Sequence, residues 1–190
     1  MTIIKTDIEG LFIIKPRIFS DSRGYFFESY SKREFEKEIG DVHFVQDNES
    51  KSSYGVLRGL HFQKPPYAQS KLVRVIQGRV LDVAVDIRKG SPTYGKWEAV
   101  ELSAENKLQL FIPHGFAHGF SVLSDEALFQ YKCDNFYHPE AEGAIAWDDP
   151  QLNIEWQLNI EWQLPKESII LSAKDTKHPS FAELDSPFTL

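Results

Sequence analysis

Lys71-Leu72-Val73-Arg74-Val75-Ile76-Gln77-Gly78-Arg79-Val80-Leu81-Asp82-Val83-Ala84-Val85-Asp86-Ile87 is the stretch from which the fold class can be read. Two runs rich in β-branched residues, 71–76 and 79–87, flank Gln77-Gly78, and this pattern predicts a hairpin. The same kind of run recurs downstream. Residues 98–102, 108–112, 118–123 and 127–133 each read as a short strand, with turn residues between them. Upstream, residues 11–14 read as a strand stopped by Pro16. Asp21-Ser22-Arg23-Gly24 reads as a turn and residues 25–30 as a second strand. Ser31-Lys32-Arg33-Glu34 has capping-box spacing, which predicts a short helix running to about Ile39 and ending at Gly40. Past Gly40 the chain reads as β throughout. Short strands without intervening helices point to an all-β sandwich or barrel rather than a parallel sheet. No linker divides the chain, so residues 1–190 are read as a single domain.

Composition narrows the function. A chain of 190 residues can bury one sizeable core. The formal net charge of -7, with no long basic run, argues against nucleic acid and acidic membrane surfaces as partners. An anionic ligand stays open if basic groups line one cavity. The single cysteine, Cys133, excludes an intrachain disulfide and fits a reducing, cytoplasmic compartment. Residues 1–10 lack the basic and apolar regions of a signal peptide, and no apolar run approaches membrane-spanning length.

Gln151-Leu152-Asn153-Ile154-Glu155-Trp156 is followed at once by the same sequence at 157–162. Two copies do not make a solenoid. An even-numbered repeat keeps every side chain of a strand on its face, so a strand could use either copy while the other bulges outward. The duplication at 151–162 is therefore read as a bulge or loop that adds nothing to catalysis.

The richest chemical stretch is Val56-Leu57-Arg58-Gly59-Leu60-His61-Phe62-Gln63. Strict alternation would put Arg58 and His61 on opposite faces of a strand. A bulge at Gly59 would shift the phase by one and aim both into one cavity, setting a group that titrates near neutrality beside a fixed cation. Without the bulge, the same residues read as an exposed arginine and a hydrogen-bonded core histidine. Lys71 shares a face with Val73 and Val75, and is either a snorkelling stem or a desolvated functional amine. Gln46-Asp47-Asn48 forms a hydrogen-bonding cluster ahead of the His61 run. Tyr131 shares a face with Phe129 and Cys133. His114 and His118 are four apart, but Pro113, Gly115 and Gly119 argue against the helix that would make this a metal face. His61, His114, His118, His138 and His178 lie in different local contexts, so the metal signal is weak. The alternative is metal-free proton transfer by His and Tyr, with Lys or Arg holding negative charge.

Six stretches, in this order, are together specific. They are Asp21-Ser22-Arg23-Gly24-Tyr25-Phe26, Phe44-Val45-Gln46-Asp47-Asn48, the Val56 to Gln63 run, Lys71-Leu72-Val73-Arg74-Val75, Ile112-Pro113-His114-Gly115-Phe116-Ala117-His118-Gly119-Phe120 and Leu171-Ser172-Ala173-Lys174-Asp175. Over about residues 8–175 the chain resembles the dTDP-4-dehydrorhamnose 3,5-epimerase family, a metal-free branch of the cupin jelly rolls. The resemblance implies a jelly-roll β-sandwich or barrel with a few short helices. It implies an enzyme that inverts C3 and C5 of dTDP-4-dehydro-6-deoxy-D-glucose, giving dTDP-4-dehydro-L-rhamnose through an enolate, with no metal and no cofactor. It also implies a homodimer with shared active sites, to which Arg23 and Glu28 contribute across subunits.

For the catalytic residues the resemblance implies His61 as base, Asp175 as the carboxylate that orients it, Tyr131 as acid and Lys71 beside the developing enolate oxygen. His118 and Arg58 would complete the lining. Arg23 and Lys174 match positions on the diphosphate or sugar, and Phe26, Glu28, Gln46, Asp47, Asn48 and Glu142 match other substrate contacts. Tyr137 matches a thymine-stacking position. Three other readings remain beside this one: a mono-epimerase or ketoisomerase on a related dTDP-4-keto sugar, a metal-dependent cupin enzyme, and a non-catalytic sugar-nucleotide binding module.

Overall fold

The computed structural model describes residues 1–156 and 169–190. The strands begin with β1 (Thr2–Lys5), β2 (Phe12–Lys15), β3 (Phe19–Asp21) and β4 (Gly24–Phe26), before helix α1 (Lys32–Glu38). They continue with β5 (Gln46–Ser53), β6 (Leu57–Gln63), β7 (Lys71–Gln77), β8 (Arg79–Asp86) and β9 (Trp97–Ser103). The last are β10 (Gln109–Ile112), β11 (Phe116–Val122), β12 (Glu126–Cys133) and β13 (Glu142–Ala144). Among the described residues they form a six-stranded sheet in the order β1-β2-β10-β7-β12-β5 and a five-stranded sheet in the order β13-β6-β11-β8-β9. A separate two-stranded hairpin joins β3 and β4. The pairings are antiparallel, as expected of a jelly-roll sandwich. Among the described residues no helix is long and apolar enough to cross a membrane.

Alternation on each strand builds the layers. Val73 and Val75 of β7 and Phe129 of β12 point inward against Val80, Ala84, Val100, Phe120 and Val122 of the other sheet. Leu81, Val83 and Val85 of β8 point the opposite way, into a second cluster with Ile145, Leu152, Trp156, Phe181 and Phe188. The five-stranded sheet is thus covered on both faces, which explains the nearly continuous apolar run of β8. Helix α1 covers part of the outer face of the six-stranded sheet, where Phe35 meets Ile14, Leu72 and Phe111. Truncating a side chain as deeply buried as Phe129 to alanine costs about 3–5 kcal/mol.

The strand runs expected at 71–76, 79–87, 98–102, 108–112, 118–123 and 127–133 are all strands, with ends shifted by up to two residues. Three other expectations need correction. Gln77-Gly78 does not close a hairpin: β7 pairs with β10 and β12, while β8 pairs with β9 and β11. The chain turns a corner there from one sheet to the other, and Gly78 takes φ +75 with no room for a Cβ against Glu126 and Ser124. The capping box does not form. Ser31 is the N-cap without a side-chain bond, and Glu34 instead pairs with the Met1 amino group at 3.0 Å. The expected strand at 25–30 ends at Phe26, because β4 has only the short β3 to pair with. Of the duplicated hexapeptide, the first copy, 151–156, is a turn and irregular segment that packs against the sheet. Leu152 and Trp156 are buried, Trp97 Nε1 donates to the Leu152 carbonyl, and Ser121 Oγ donates to the Trp156 carbonyl. The second copy, 157–162, lies outside the described residues.

Candidate active site

The site begins with a bulge. His118 on β11 is the register partner of His61 on β6, and Phe120 is the partner of Arg58, so β6 carries one residue more than β11 between these pairs. Gly59 absorbs the extra residue at φ +145, and a Cβ there would lie 2.6 Å from the Gly119 Cα. Arg58 and His61 consequently face the same cavity, as the phase shift expected at Gly59 requires.

That cavity, of about 210 Å³, lies between the two sheets and is lined by Arg58, His61, Lys71, His118, Tyr131 and Asp175, among others. Alternation supplies the six-stranded side. Tyr131 pairs with Val73 and Asn48, and Cys133 pairs with Lys71 and Gln46, so these side chains share the inner face. Lys71 Nζ stands 5.9 Å from the Tyr131 ring centroid.

His61 Nε2 lies 2.5 Å from Asp175 Oδ1. Asp175 is 3% exposed, also takes a hydrogen bond from Ser172 Oγ to Oδ2 at 2.8 Å, and has His178 Nε2 at 3.1 Å from Oδ1. Burial pushes this carboxyl upward, but the bonds from His61, Ser172 and His178 outweigh it and hold the group at about 2. It is therefore ionised at every physiological pH. Lys71 is driven below the ordinary amine range by burial, partly offset by Cys133 and Asp82, and makes no ion pair among the described residues. Burial raises the Tyr131 phenol, and the Cys133 thiol is pushed up to about 11 chiefly by burial. His118 sits 3.0 Å from both oxygens of Asp82, and burial lowers it despite that neighbour. Arg58 Nε and Nη2 each donate to Ser52 Oγ at 3.2 Å.

The other expected contacts divide. A hydrogen-bonded chain runs from Cys133 through Asn48 and Gln46 to the Tyr137 backbone N–H. The Tyr137 hydroxyl then bonds Glu142, which pairs with Lys174 at 3.0 Å, next to Asp175. This gives the cavity a polar rim. Asp47 is not part of it, because alternation turns its side chain to the outer face of β5, where it pairs with Lys132 at 2.9 Å. Arg23 and Phe26 stand on the β3–β4 hairpin, with Arg23 clamped to Asp21 at 2.6 Å and Phe26 67% exposed. Glu28 lines a different cavity, beneath α1. Within one chain these three do not reach His61.

Three site residues escaped the sequence reading. Ser172 and His178 hold Asp175, and Asp82 holds His118. His178, whose local sequence context differs from that of His61, shares Asp175 with it, and the three ligand atoms lie within 4.8 Å of one another. Both ring nitrogens are aimed at the same carboxylate oxygen rather than at a common vacant point, so this cluster is a hydrogen-bonded triad whose donor set is already used. For Ser172 a signal existed in the Ser-x-x-Asp spacing of a turn.

A base on one sheet and an acid on the other can reach opposite faces of one carbon, which inverting that carbon requires. The molecule is a cupin-like jelly roll whose cavity suits such proton transfer. The profile of the family described as dTDP-4-dehydrorhamnose 3,5-epimerase matches residues 5–183. The dTDP-4-dehydrorhamnose 3,5-epimerase of Shigella flexneri is 55% identical over 186 residues, 97% of this chain and 98% of that protein. The crystal structure of the enzyme of that name from Elizabethkingia anophelis superposes with a TM-score of 0.89 at 53% identity, covering 96% of this chain and 97% of that one. A Legionella pneumophila dTDP-6-deoxy-D-glucose-3,5-epimerase, solved with dTDP-4-keto-L-rhamnose, gives a TM-score of 0.89 at 50% identity over 97% of this chain and 94% of that one. The chain belongs to the dTDP-4-dehydrorhamnose 3,5-epimerase family.

Proposed function

We propose that this protein inverts C3 and C5 of dTDP-4-dehydro-6-deoxy-D-glucose, giving dTDP-4-dehydro-L-rhamnose, the precursor of dTDP-L-rhamnose. The observation that carries the reading is the 2.5 Å His61–Asp175 contact in the cavity that also holds Tyr131 and Lys71. The protons at C3 and C5 flank the C4 carbonyl and are acidified by it. His61, as a neutral imidazole, removes each one, and the ionised Asp175 favours the imidazolium that forms. The electrons pass to the C4 oxygen. Lys71, with Arg58 and His118 nearby, stabilises that oxygen more as it becomes negative, because a desolvated ammonium gains most from a full counter-charge. Tyr131, kept protonated by burial, returns a proton to the opposite face. The conversion is redox-neutral overall, so the steps need no oxidant or reductant.

The same reading assigns the rim residues Gln46, Asn48, Tyr137, Glu142 and Lys174 to the nucleotide and sugar. It assigns Arg23, Phe26 and Glu28 to the site of a second subunit in a homodimer. Supporting this is the β3–β4 hairpin, which is a sheet of its own and leaves Phe19, Tyr25 and Phe26 exposed. The buried free thiol of Cys133 is in keeping with a reducing compartment, and we place the enzyme in the cytoplasm.

Proton NMR of the 4-keto sugar in deuterated water tests the function. Deuterium at both C3 and C5 is expected; incorporation at one position only would make the protein a mono-epimerase, and none at either would overturn the reading.

A further inference from the structure

We propose that His178 is a positioning residue for the reaction, holding the Asp175 carboxylate in register for His61; this rests on His61 being the base. His61, Lys71, His118 and Tyr131 all stand on strands, whose ladders fix their backbones. Asp175 does not: it lies in a turn before a C-terminal segment without regular strands, bounded by the Lys177 N–H bond to the Lys174 carbonyl. A carboxylate on a loop has two free side-chain torsions, so its placement falls to bonds made by its own oxygens.

Each oxygen has one anchor besides His61. Ser172 Oγ donates to Oδ2 at 2.8 Å, and His178 Nε2, as N–H, donates to Oδ1 at 3.1 Å. The second anchor matters more for the chemistry, because Oδ1 is the oxygen that His61 uses. The His178 ring stands at 88° to that of His61, with centroids 5.5 Å apart, so it also walls one edge of the base without competing for its other nitrogen. His178 does not line the cavity, so it contacts neither the sugar nor the reacting atoms. Its influence passes through Asp175, by the bond to Oδ1, and through the edge of the His61 ring. Loosening the dyad by a fraction of an ångström slows proton transfer while leaving substrate binding intact.

The experiment compares His178→Phe, which keeps the ring but lacks the N–H, with His178→Gln, whose side-chain amide can donate from a similar point. His178→Phe is expected to lower kcat about 10- to 100-fold with KM within about twofold, and to raise the isotope effect for substrate deuterated at C3 and C5. His178→Gln is expected to recover most of kcat and the native isotope effect. A purely structural role would lower Tm and leave the isotope effect alone. A folded His178→Phe with native kcat and isotope effect would overturn the proposal, as would equal defects in the Phe and Gln variants. Should His178→Phe not fold, His178→Leu supplies the donor-less comparison. His61→Ala, measured alongside, separates the two levels: if it retains exchange the base assignment fails, whereas an inactive His61→Ala with a native His178→Phe sinks only the role of His178.

Discussion

His61 and His118 are register partners on neighbouring strands and each leans on an aspartate, but the two pairs are built differently. His118 and Asp82 both belong to strands of the five-stranded sheet, with side chains 8% and 0% exposed and the ring nitrogen 3.0 Å from both oxygens. His61 keeps 38% of its side chain open, and its aspartate comes from a C-terminal turn that approaches from outside the sheet. The closed pair keeps a neutral ring in place, since burial opposes the imidazolium. The open pair has what a recycling base needs: a route for protons and a carboxylate that stays ionised. Two chemically identical pairs thus separate into a closed polar wall and an open pair suited to the proposed proton transfer, and burial makes the difference.

The sharpest way to break this comparison is to remove each ring. His61→Ala should lower deuterium incorporation at C3 and C5 about 10³-fold or more, whereas His118→Gln should leave measurable exchange; equal losses would erase the distinction. Next in size, Tyr131→Phe should cut inversion about 10²-fold while the substrate still exchanges protons, as read by NMR and product chirality. The aspartates should then divide by property. Asp175→Asn is expected to lower kcat about 10²-fold, besides losing the stability that its buried carboxylate contributes at neutral pH. Asp82→Asn is expected to disturb a buried hydrogen-bonded pair and cost about 1–3 kcal/mol, visible as a lower Tm in calorimetry.

A smaller effect is expected outside the cavity. Arg23→Ala should raise KM about 10-fold, roughly the 1.4 kcal/mol of one charge-assisted contact, and leave kcat near native. In mixed dimers with His61→Ala subunits it should restore one working site. The smallest effect is on pH stability. His118 is held below its ordinary 6.5 in the fold, so the unfolded chain takes up protons first and stability falls as the pH drops through 6.5. Asp175, ordinarily at 3.8 and held at about 2, contributes stability above 3.8 that is lost between those values. Tm measured from pH 7.5 to 3 should lose its upper slope in His118→Gln and part of its lower slope in Asp175→Asn.

Much of the sheet structure was legible because apolar alternation marks strands that face a core, as on β7, β9 and β12. Strand β5 was not, because Gln46 to Ser53 is polar on both faces. It carries Gln46, Asn48, Ser50 and Ser52 toward the cavity side, and a strand that lines an active site loses the hydrophobic period by which strands are recognised. The same strand explains Asp47, one residue out of phase with its functional neighbours. The Gly78 turn misled for a different reason. A glycine between two apolar runs signals a reversal of direction, but a hairpin and a corner between sheets need the same local conformation.

The residues alone determined the all-β class and the single thiol, and offered the bulge at Gly59, with the shared facing of Arg58 and His61, as one of two readings that the register of β6 against β11 then decided. The resemblance to a known family named the partnership of His61 and Asp175, but not what secures it. Only the tertiary structure decided that Ser172 and His178 anchor that carboxylate, that Asp82 serves His118, and that Lys71 lines the cavity beside Tyr131. Asp175 is separated from His61 by 114 positions and Asp82 from His118 by 36. Side-chain facing is a local property of the backbone, but the partner it meets is set by how the sheets and the C-terminal segment close on one another.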